Sequence, residues 1–231
     1  MLVFAPHPDD AELGAGGIIA LHTELGYRVG ICDLTEGEMG TNGTPELRRR
    51  EADHAKDILK AQWRENLQLP DSFVSVTEAA KTQVVELIRT CRPQVLLVTY
   101  PGDDHPDHNH AAELVREAAY LAGLEKYPAR GERHRPDRLF YYFLGRPQNP
   151  DLVVDITEVH DTKIKSVLAH KSQLGLNETD HQQDTRLTHP SFLDRVIARD
   201  RYMGSLTNCE FGEGLMCERV PRVHNLFQLG G

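Results

Sequence analysis

The sequence has no long apolar run. In a chain of 231 residues, the longest strongly apolar stretch is Val95-Leu96-Leu97-Val98, whereas a membrane-spanning helix needs roughly 20 apolar residues. The first residues also lack the basic region and the small-residue cleavage site of a signal peptide. We therefore expect no membrane partner and a cytoplasmic location.

Paired cysteines and basic clusters are lacking too. The four cysteines contain no C-x-x-C motif, which argues against a disulfide framework and against a thiolate zinc site. The 26 Lys and Arg against 35 Asp and Glu give a formal net charge of −9. Nucleic acid needs a basic face, and only Arg48-Arg49-Arg50 approaches one. The composition therefore argues against nucleic acid as a partner.

The chain does contain enough apolar sequence for a core, with 39% hydrophobic residues arranged in alternating strands and helices. The predicted strands are Leu2–Ala5, Arg28–Leu34, Arg64–Leu67 and Val95–Thr99. The predicted helices are Ala11–Leu25, Glu46–Ala61, Thr77–Cys91 and Asn109–Gly123. This alternation is typical of right-handed βαβ units. It predicts an α/β fold of the Rossmann-like, doubly wound kind, with a mostly parallel sheet and helices on both faces.

The pattern loosens after residue 125. Strands are predicted near Leu139–Phe143 and Leu152–Val154, helices near Thr157–His170 and Ser191–Met203, and loops with short strands over Asn208–Leu229. No Gly/Ser-rich or Pro-rich linker divides the chain. We therefore expect a single domain over residues 1–231, with a core at 1–125 and a C-terminal α/β supplement at 126–231.

Histidine and aspartate are concentrated in two segments that each follow a predicted strand. The first motif, Pro6-His7-Pro8-Asp9-Asp10-Ala11-Glu12, follows the first strand, and the second, Asp103-Asp104-His105-Pro106-Asp107-His108, follows the fourth. In a doubly wound sheet of order 3-2-1-4-5 these strands are neighbours, and ligands bind at their carboxyl ends. We therefore expect the two motifs to meet in space.

Together the motifs offer the ligands of a catalytic zinc. His7, Asp10 and His108 supply three nitrogen or oxygen ligands, the number typical of a zinc that keeps one position open for water. The other polar residues provide a carboxylate base, an imidazole and a carboxylate to orient it, namely Asp9, His105 and Asp107. The alternative is that some of these side chains only cap the helices that follow them.

A dinucleotide-binding turn is a competing interpretation of the first motif. Gly14, Gly16 and Gly17 follow the first strand, and Asp33 ends the second strand, where a ribose-binding acid would lie. The turn itself, however, carries carboxylates that would repel a pyrophosphate, and Ile19 occupies the third-glycine position. We interpret the glycines as positions that allow close packing of helix on sheet.

At these residues the sequence resembles the PIG-L-like (LmbE-like) zinc N-deacetylases. Their first signature is matched by Pro6 to Glu12 and their second by His105 to His108. The resemblance continues through residues 30–38 and 41–48 to Val196-Ile197-Ala198-Arg199 and Glu213-Gly214. This longer set resembles the N-acetylglucosaminyl-malate deacetylases of bacillithiol biosynthesis.

The resemblance implies that His7, Asp10 and His108 hold zinc, with Fe²⁺ or Co²⁺ as alternative metals. It also implies that Arg48 contacts the substrate, and a guanidinium fork suits the carboxylates of malate or the hydroxyls of a sugar. The partners implied are a small N-acetylated sugar and further copies of the chain in a homo-oligomer, for which a hexamer is the candidate form.

The resemblance further implies a division of catalytic labour. Asp9 would be the general base, and protonated His105, supported by Asp107, would stabilise the developing oxyanion. Two positions depart from relatives that carry tyrosine, because they hold Asp103 and Phe192 here. These departures remove phenol groups that could assist the reaction.

The leading hypothesis is a zinc-dependent hydrolase that removes the N-acetyl group from N-acetylglucosaminyl-malate. The alternatives are deacetylation of another N-acetylglucosamine conjugate or a chitooligosaccharide, and a non-catalytic metal- or nucleotide-binding module. Asp9 and His105 favour catalysis, because a structural metal site needs no additional acid/base pair. The polar stretch that contains Asp180-His181 and Thr188-His189 is expected to form a loop over the site.

Overall fold

The computed structural model describes residues 1–145, 148–176, 182–222 and 225, and a seven-stranded sheet lies at the centre of this part of the chain. The strands are β1 Leu2–Ala5, β2 Gly30–Thr35, β3 Trp63–Leu69, β4 Val95–Thr99, β5 Arg138–Tyr142, β6 Leu152–Asp155 and β7 Gly212–Cys217. The helices are α1 Asp10–Glu24, α2 Pro45–Leu59, α3 Glu78–Cys91, α4 Pro106–Ala122, α5 His160–Leu168 and α6 Phe192–Ser205.

The strand order is β3-β2-β1-β4-β5-β7-β6. The first five of these strands run parallel, and β7 pairs antiparallel with both of its neighbours. One apolar cluster joins the sheet to α3 and α4, and another joins its opposite face to α1. The predicted α/β fold, with helices on both faces of a mostly parallel sheet, is confirmed. None of the helices described is long and apolar enough to cross a membrane.

Two glycines let α1 lie close to the sheet. A Cβ atom at Gly14 would come within 2.2 Å of the Tyr142 ring, and one at Gly17 would come within 2.6 Å of Ile156. Both contacts are too short for any side chain, so glycine is required where the helix crosses these residues. The helix-on-sheet interpretation is confirmed for Gly14, whereas Gly17 packs against Ile156 just beyond β6 and a Cβ atom at Gly16 would lie 3.1 Å from Lys163 of α5.

Helix α4 begins at Pro106, three residues earlier than the hydrophobic periodicity predicts. His105 is its N-cap residue, and Pro106 occupies the first helical turn, where a missing N–H costs nothing. Asp107 and His108 therefore project from the first turn of a helix, directly beyond the end of β4. This early start brings both side chains to the β1–β4 crevice.

The residues after 125 extend the same sheet instead of forming a second one. Strand β7 inserts between β5 and β6, with Tyr142 opposite Leu215 and Val153 opposite Gly214. Helices α5 and α6 pack beside α1 and β7. The helix predicted over Thr157–His170 is a 3₁₀ turn at Thr157–Val159 followed by α5.

Candidate metal centre and active-site cleft

The carboxyl ends of β1 and β4 lie at the floor of a cleft. The two strands pair in parallel, and the chain leaves them toward α1 and α4, so the two motifs face each other. Loops after β2 and β3 and parts of residues 186–202 line the same cleft, whose volume is about 840 Å³. This lies within the ~300–1,000 Å³ typical of small-molecule sites.

His7, Asp10 and His108 converge within this cleft. The Oδ2 atom of Asp10 lies 3.0 Å from Nδ1 of His7 and 3.4 Å from Nε2 of His108. One ligand atom from each residue lies within 4.8 Å of the other two. Two imidazole nitrogens and one carboxylate oxygen form the donor set of a catalytic divalent metal. The structure thus brings together the three predicted ligands.

In both His7 and His108, the ring nitrogen that faces away from Asp10 lies close to a carboxylate. Nδ1 of His108 is 2.8 Å from Oδ1 of Asp103. Nε2 of His7 is 3.1 Å from Oδ1 of Asp71 and 3.3 Å from Oδ2 of Asp107. Such pairs fix the orientation and the tautomer of histidines that bind metals. The donor set and its surroundings therefore fit a divalent metal ion.

Asp71 and Asp103 have no assigned role in the sequence analysis. Asp71 is buried just beyond the end of β3, where its carboxylate also accepts the N–H of Met39 at 2.9 Å. Asp103 accepts the N–H groups of His105 and Gly145 at 3.0 and 3.2 Å. The signal for Asp71 is its position after the third strand, because the parallel strands end at one edge of the sheet. The signal for Asp103 is its place within the second motif.

The cluster has an electrostatic preference for a cation. Burial opposes protonation of both histidines, yet contacts with carboxylates raise the pKa of His7 well above its usual value and raise the pKa of His108 to about 9. Burial raises the pKa of Asp10, but the two histidines outweigh it and hold that pKa well below its usual range. Surroundings that favour protonated histidine favour positive charge. A divalent metal ion would supply that charge.

Asp9 lies beside the ligands in the turn between β1 and α1. Its φ of 138° is rare for a residue other than glycine, and its side chain makes no capping hydrogen bond with α1. The capping alternative is therefore wrong for Asp9. Burial, against the opposing charge of Arg48, raises the pKa of Asp9 to about 6. A carboxylate that titrates near neutrality is suited to accept and return a proton.

Arg48 supports this turn from α2. Its guanidinium donates to the carbonyl oxygens of Pro8 at 2.9 Å and Gly37 at 3.0 Å, and Nη2 lies 3.5 Å from Oδ2 of Asp9. Although Arg48 lines the cleft, it is only 4% exposed. Much of the guanidinium fork is thus occupied by the protein, and the substrate contact stays a prediction.

His105 lies in the cleft, with its ring centroid 4.8 Å from that of His7 and 4.7 Å from that of His108. Its Nδ1 atom accepts the backbone N–H of Asp107 at 3.2 Å. The capping alternative is therefore correct for this imidazole. Since Nδ1 is an acceptor, the neutral ring carries its proton on Nε2. Half-burial and the charges of His7 and His108 lower the pKa of His105.

The Asp107 carboxylate does not form the predicted hydrogen bond with the His105 imidazole. It accepts the N–H groups of Ser72 at 2.7 Å and Val74 at 3.2 Å, and it faces His7. The physical reason is the helix start, because capping turns the His105 ring toward the backbone while the Asp107 side chain enters the first turn of α4. Asp107 connects the β3–α3 loop to His7.

Glu12, the last residue of the first motif, is fully buried beside the cleft floor. Its Oε1 accepts from Arg64 at 2.6 Å, and its Oε2 lies 3.2 Å from Nε2 of His170. Arg64 also donates to Asp33 at 2.7 Å, so the candidate ribose-binding acid is occupied by an ion pair. The nucleotide-binding interpretation therefore gains no support from either Asp33 or the glycines.

The predicted loop over the site is described only in part, because Asp180 and His181 lie outside the described residues. Thr188 exchanges hydrogen bonds with Thr185, and Arg186 and Leu187 between them line the cleft. Phe192, at the start of α6, also lines it. The described part of this segment therefore reaches the cleft.

Comparisons with known proteins agree with the motifs. The family model described as PIG-L, GlcNAc-PI de-N-acetylase, matches residues 2–119. A crystal structure of a conserved protein from Thermus thermophilus superposes with a TM-score of 0.87 at 36% identity, covering 96% of both chains. The match thus extends over nearly the whole chain and includes the cleft.

The curated relatives include proteins with different functional names. A diacetylchitobiose deacetylase of Thermococcus kodakarensis is 32% identical, over 93% of this chain and 81% of its own. A probable N-acetyl-alpha-D-glucosaminyl L-malate deacetylase 2 of Bacillus subtilis is 31% identical, over 75% of this chain and 82% of its own. A 4-oxalmesaconate hydratase of Pseudomonas putida is 28% identical, over 96% of this chain and 90% of its own.

Proposed function

Because the chain belongs to the PIG-L family, we propose that it is a metal-dependent hydrolase that removes the N-acetyl group from an N-acetylglucosamine conjugate. The observation that carries this proposal is the convergence of His7, Asp10 and His108 in a cleft that also contains Asp9. A metal site with an adjacent carboxylate base is an arrangement that supports amide hydrolysis by water.

His7, Asp10 and His108 would hold the ion, and zinc, Fe²⁺ and Co²⁺ are the candidates. A divalent ion bound there would supply Lewis acidity to the amide carbonyl and would lower the pKa of a bound water from 15.7 toward about 7. Asp71 and Asp103 keep the two imidazoles oriented, because each accepts from the nitrogen that faces away from Asp10.

Asp9 accepts the proton of the water that attacks the carbonyl carbon. It then delivers this proton to the amine nitrogen as the C–N bond breaks, so that acetate and the free amine leave. Arg48 keeps the Asp9 turn in place through its bonds to Pro8 and Gly37. His105 donates Nε2–H to the developing oxyanion. Neutral His105 suffices for this donation, since Nδ1 accepts the Asp107 N–H.

The finer proposal concerns the substrate, for which we retain N-acetylglucosaminyl-malate. Support comes from the Bacillus subtilis relative at 31% identity and from a cleft large enough for a sugar with a dicarboxylate aglycone. The chitobiose deacetylase relative covers more of the chain, so diacetylchitobiose is the substrate to compare it with. The proposed reaction is the same for both, because only the aglycone differs.

The test is a metal-replete assay of amine and acetate release from a panel of N-acetylglucosamine conjugates. Asp9→Asn should retain the metal and lose about 10²- to 10⁴-fold in kcat, because an amide cannot accept the proton. Asp161→Asn, an exposed change on α5, is the matched control. Near-normal turnover by metal-loaded Asp9→Asn would remove Asp9 as the base. Absence of acetate release from every conjugate, with hydration of an unsaturated dicarboxylate instead, would overturn the proposed function.

A further inference from the structure

Two arginines stand at the mouth of the cleft with no assigned role. Arg186 lies in the loop before α6 and Arg195 in the first turns of α6, and both are exposed and line the cleft. We propose that Arg186 and Arg195 form an anion-binding subsite that recognises a negatively charged aglycone of the substrate. This inference rests on the proposed function and specifies its substrate class.

The charge of the two arginines is uncompensated within the described part of the chain. Neither guanidinium has a hydrogen bond or an ion pair with a described residue. This is notable in a chain with 35 acidic and 26 basic residues, where arginines have many possible partners. Other arginines of the cleft are engaged, since Arg48 and Arg199 donate to backbone carbonyls. Within the described part of the chain, Arg186 and Arg195 are therefore the cleft arginines left available to a ligand.

The loop that carries Arg186 is anchored to the rest of the protein. Nδ2 of Asn42 donates to the carbonyl oxygen of Gln183 at 2.9 Å, and the N–H of Gln183 donates back to Oδ1 of Asn42 at 3.0 Å. Three hydrogen bonds between Thr185 and Thr188 close a turn around Arg186. An anchored loop needs little further ordering of its backbone when a ligand binds.

The helix that carries Arg195 is anchored to the metal centre. Arg199, one turn later on α6, donates to the carbonyl oxygens of Leu144 at 3.0 Å and of Leu13 on α1. Since α1 begins with Asp10, these bonds fix the backbone of α6, and with it the Cα position of Arg195, relative to the candidate ligands.

The distribution of charge orients a substrate along the cleft. The floor is rich in carboxylates, Asp9, Asp10, Asp71 and Asp103, whereas the α6 side presents the two guanidinium groups. The two guanidinium groups attract a negatively charged aglycone to the α6 side of the cleft. The neutral acetamido group then faces the floor, where hydrolysis takes place. Guanidinium forks bind carboxylate or phosphate oxygens in bidentate fashion.

The experiment compares kcat/KM on N-acetylglucosaminyl-malate, N-acetylglucosamine 1-phosphate, methyl N-acetylglucosaminide and diacetylchitobiose. Arg186→Gln and Arg195→Gln should each lose roughly tenfold on the anionic substrates and little on the neutral ones. A larger loss of kcat/KM on the malate conjugate identifies a carboxylate as the group that the arginines bind, and a larger loss on the 1-phosphate identifies a phosphate. Arg201→Gln, an exposed change on the same helix outside the cleft lining, controls for net charge. Added salt should reduce the preference for anionic substrates.

Calorimetry with glucosaminyl-malate, the product of the proposed reaction, separates this inference from that reaction. The wild-type protein should bind it more tightly than methyl glucosaminide, and both variants should lose that difference. If no conjugate is deacetylated but the wild type still prefers glucosaminyl-malate and both variants lose that preference, the proposed reaction is wrong and the subsite is supported. Equal binding of the two ligands by the wild type, or equal kcat/KM losses on all four substrates, would overturn the subsite.

Discussion

At the scale of the residue, Asp103 orients the imidazole of His108, a proposed metal ligand. Its carboxylate lies 2.8 Å from Nδ1 of His108 and also accepts two backbone N–H groups. Asp103→Asn keeps the shape but removes the negative charge that fixes the imidazole. We expect metal affinity to fall about 10- to 100-fold, as measured by competition with a chromophoric chelator. Asp53→Asn, an exposed change on α2, should have wild-type affinity. Unchanged affinity in Asp103→Asn would show that His108 is oriented by other contacts.

At the scale of secondary-structure elements, a buried ion cluster joins the C-terminal supplement to α1. Nζ of Lys163 on α5 lies 2.6 Å from Oδ2 of Asp200 on α6 and 2.7 Å from Oε1 of Glu213 on β7. Glu213 in turn accepts the N–H groups of Gly17 and Ile18 at 2.9 and 2.7 Å. Arg199 and Glu213 belong to the two C-terminal segments that resemble the deacetylase family. Both residues form hydrogen bonds with the backbone of α1.

Removing the lysine should weaken this connection strongly. Lys163→Met leaves two buried carboxylates without their shared cation, which should cost about 3–5 kcal/mol of unfolding free energy at neutral pH. Urea unfolding measures this loss, and Lys165→Met on the same helix should stay within about 0.5 kcal/mol of the wild type. A loss below about 1 kcal/mol in Lys163→Met would show that the cluster contributes little to stability.

The same cluster has a defined pH dependence. Burial opposes ionisation of Asp200, but Lys163 and Arg199 outweigh it and hold the pKa of Asp200 well below its usual value. A lowered folded-state pKa stabilises the fold above the unfolded value of about 3.9 and loses that contribution as the pH falls. The stability difference between wild type and Lys163→Met should therefore be smaller near pH 3 than at pH 7. A constant difference would exclude Asp200 as the group responsible.

At the scale of the whole molecule, the chain has a net charge of −9, and part of that charge is gathered at the cleft floor. A bound divalent ion should stabilise the fold by about 4 kcal/mol at 1,000 times its Kd. Chelation should therefore lower Tm, at roughly 2–4 °C for each kcal/mol, and returning zinc, Fe²⁺ or Co²⁺ in turn ranks the metals. His108→Ala is the control and should not respond to chelation. A wild-type Tm that is insensitive to chelator would contradict the metal site.

Several expectations for the whole protein remain predictions. These are the single domain with its core at 1–125, the homo-oligomer with a hexamer as candidate form, and the cytoplasmic location. The fold is consistent with a single domain, because β5, β6 and β7 belong to the same sheet as β1. Sedimentation of the metal-loaded protein would measure the oligomeric state.

The sequence by itself determined the fold class and the three converging ligands. Apolar periodicity and the density of His and Asp after β1 and β4 are local properties, and the switch-point rule for parallel sheets then brings His7 and His108 together. Tertiary structure alone decided which carboxylates hold the imidazoles, because Asp71 is far from His7 in the sequence and meets it only through the end of β3. The structure also decided the partners of His105 and Asp107. Because α4 begins three residues earlier than predicted, His105 caps the helix and the Asp107 carboxylate faces His7. Such contacts depend on strand register and loop geometry, which local residue patterns do not specify.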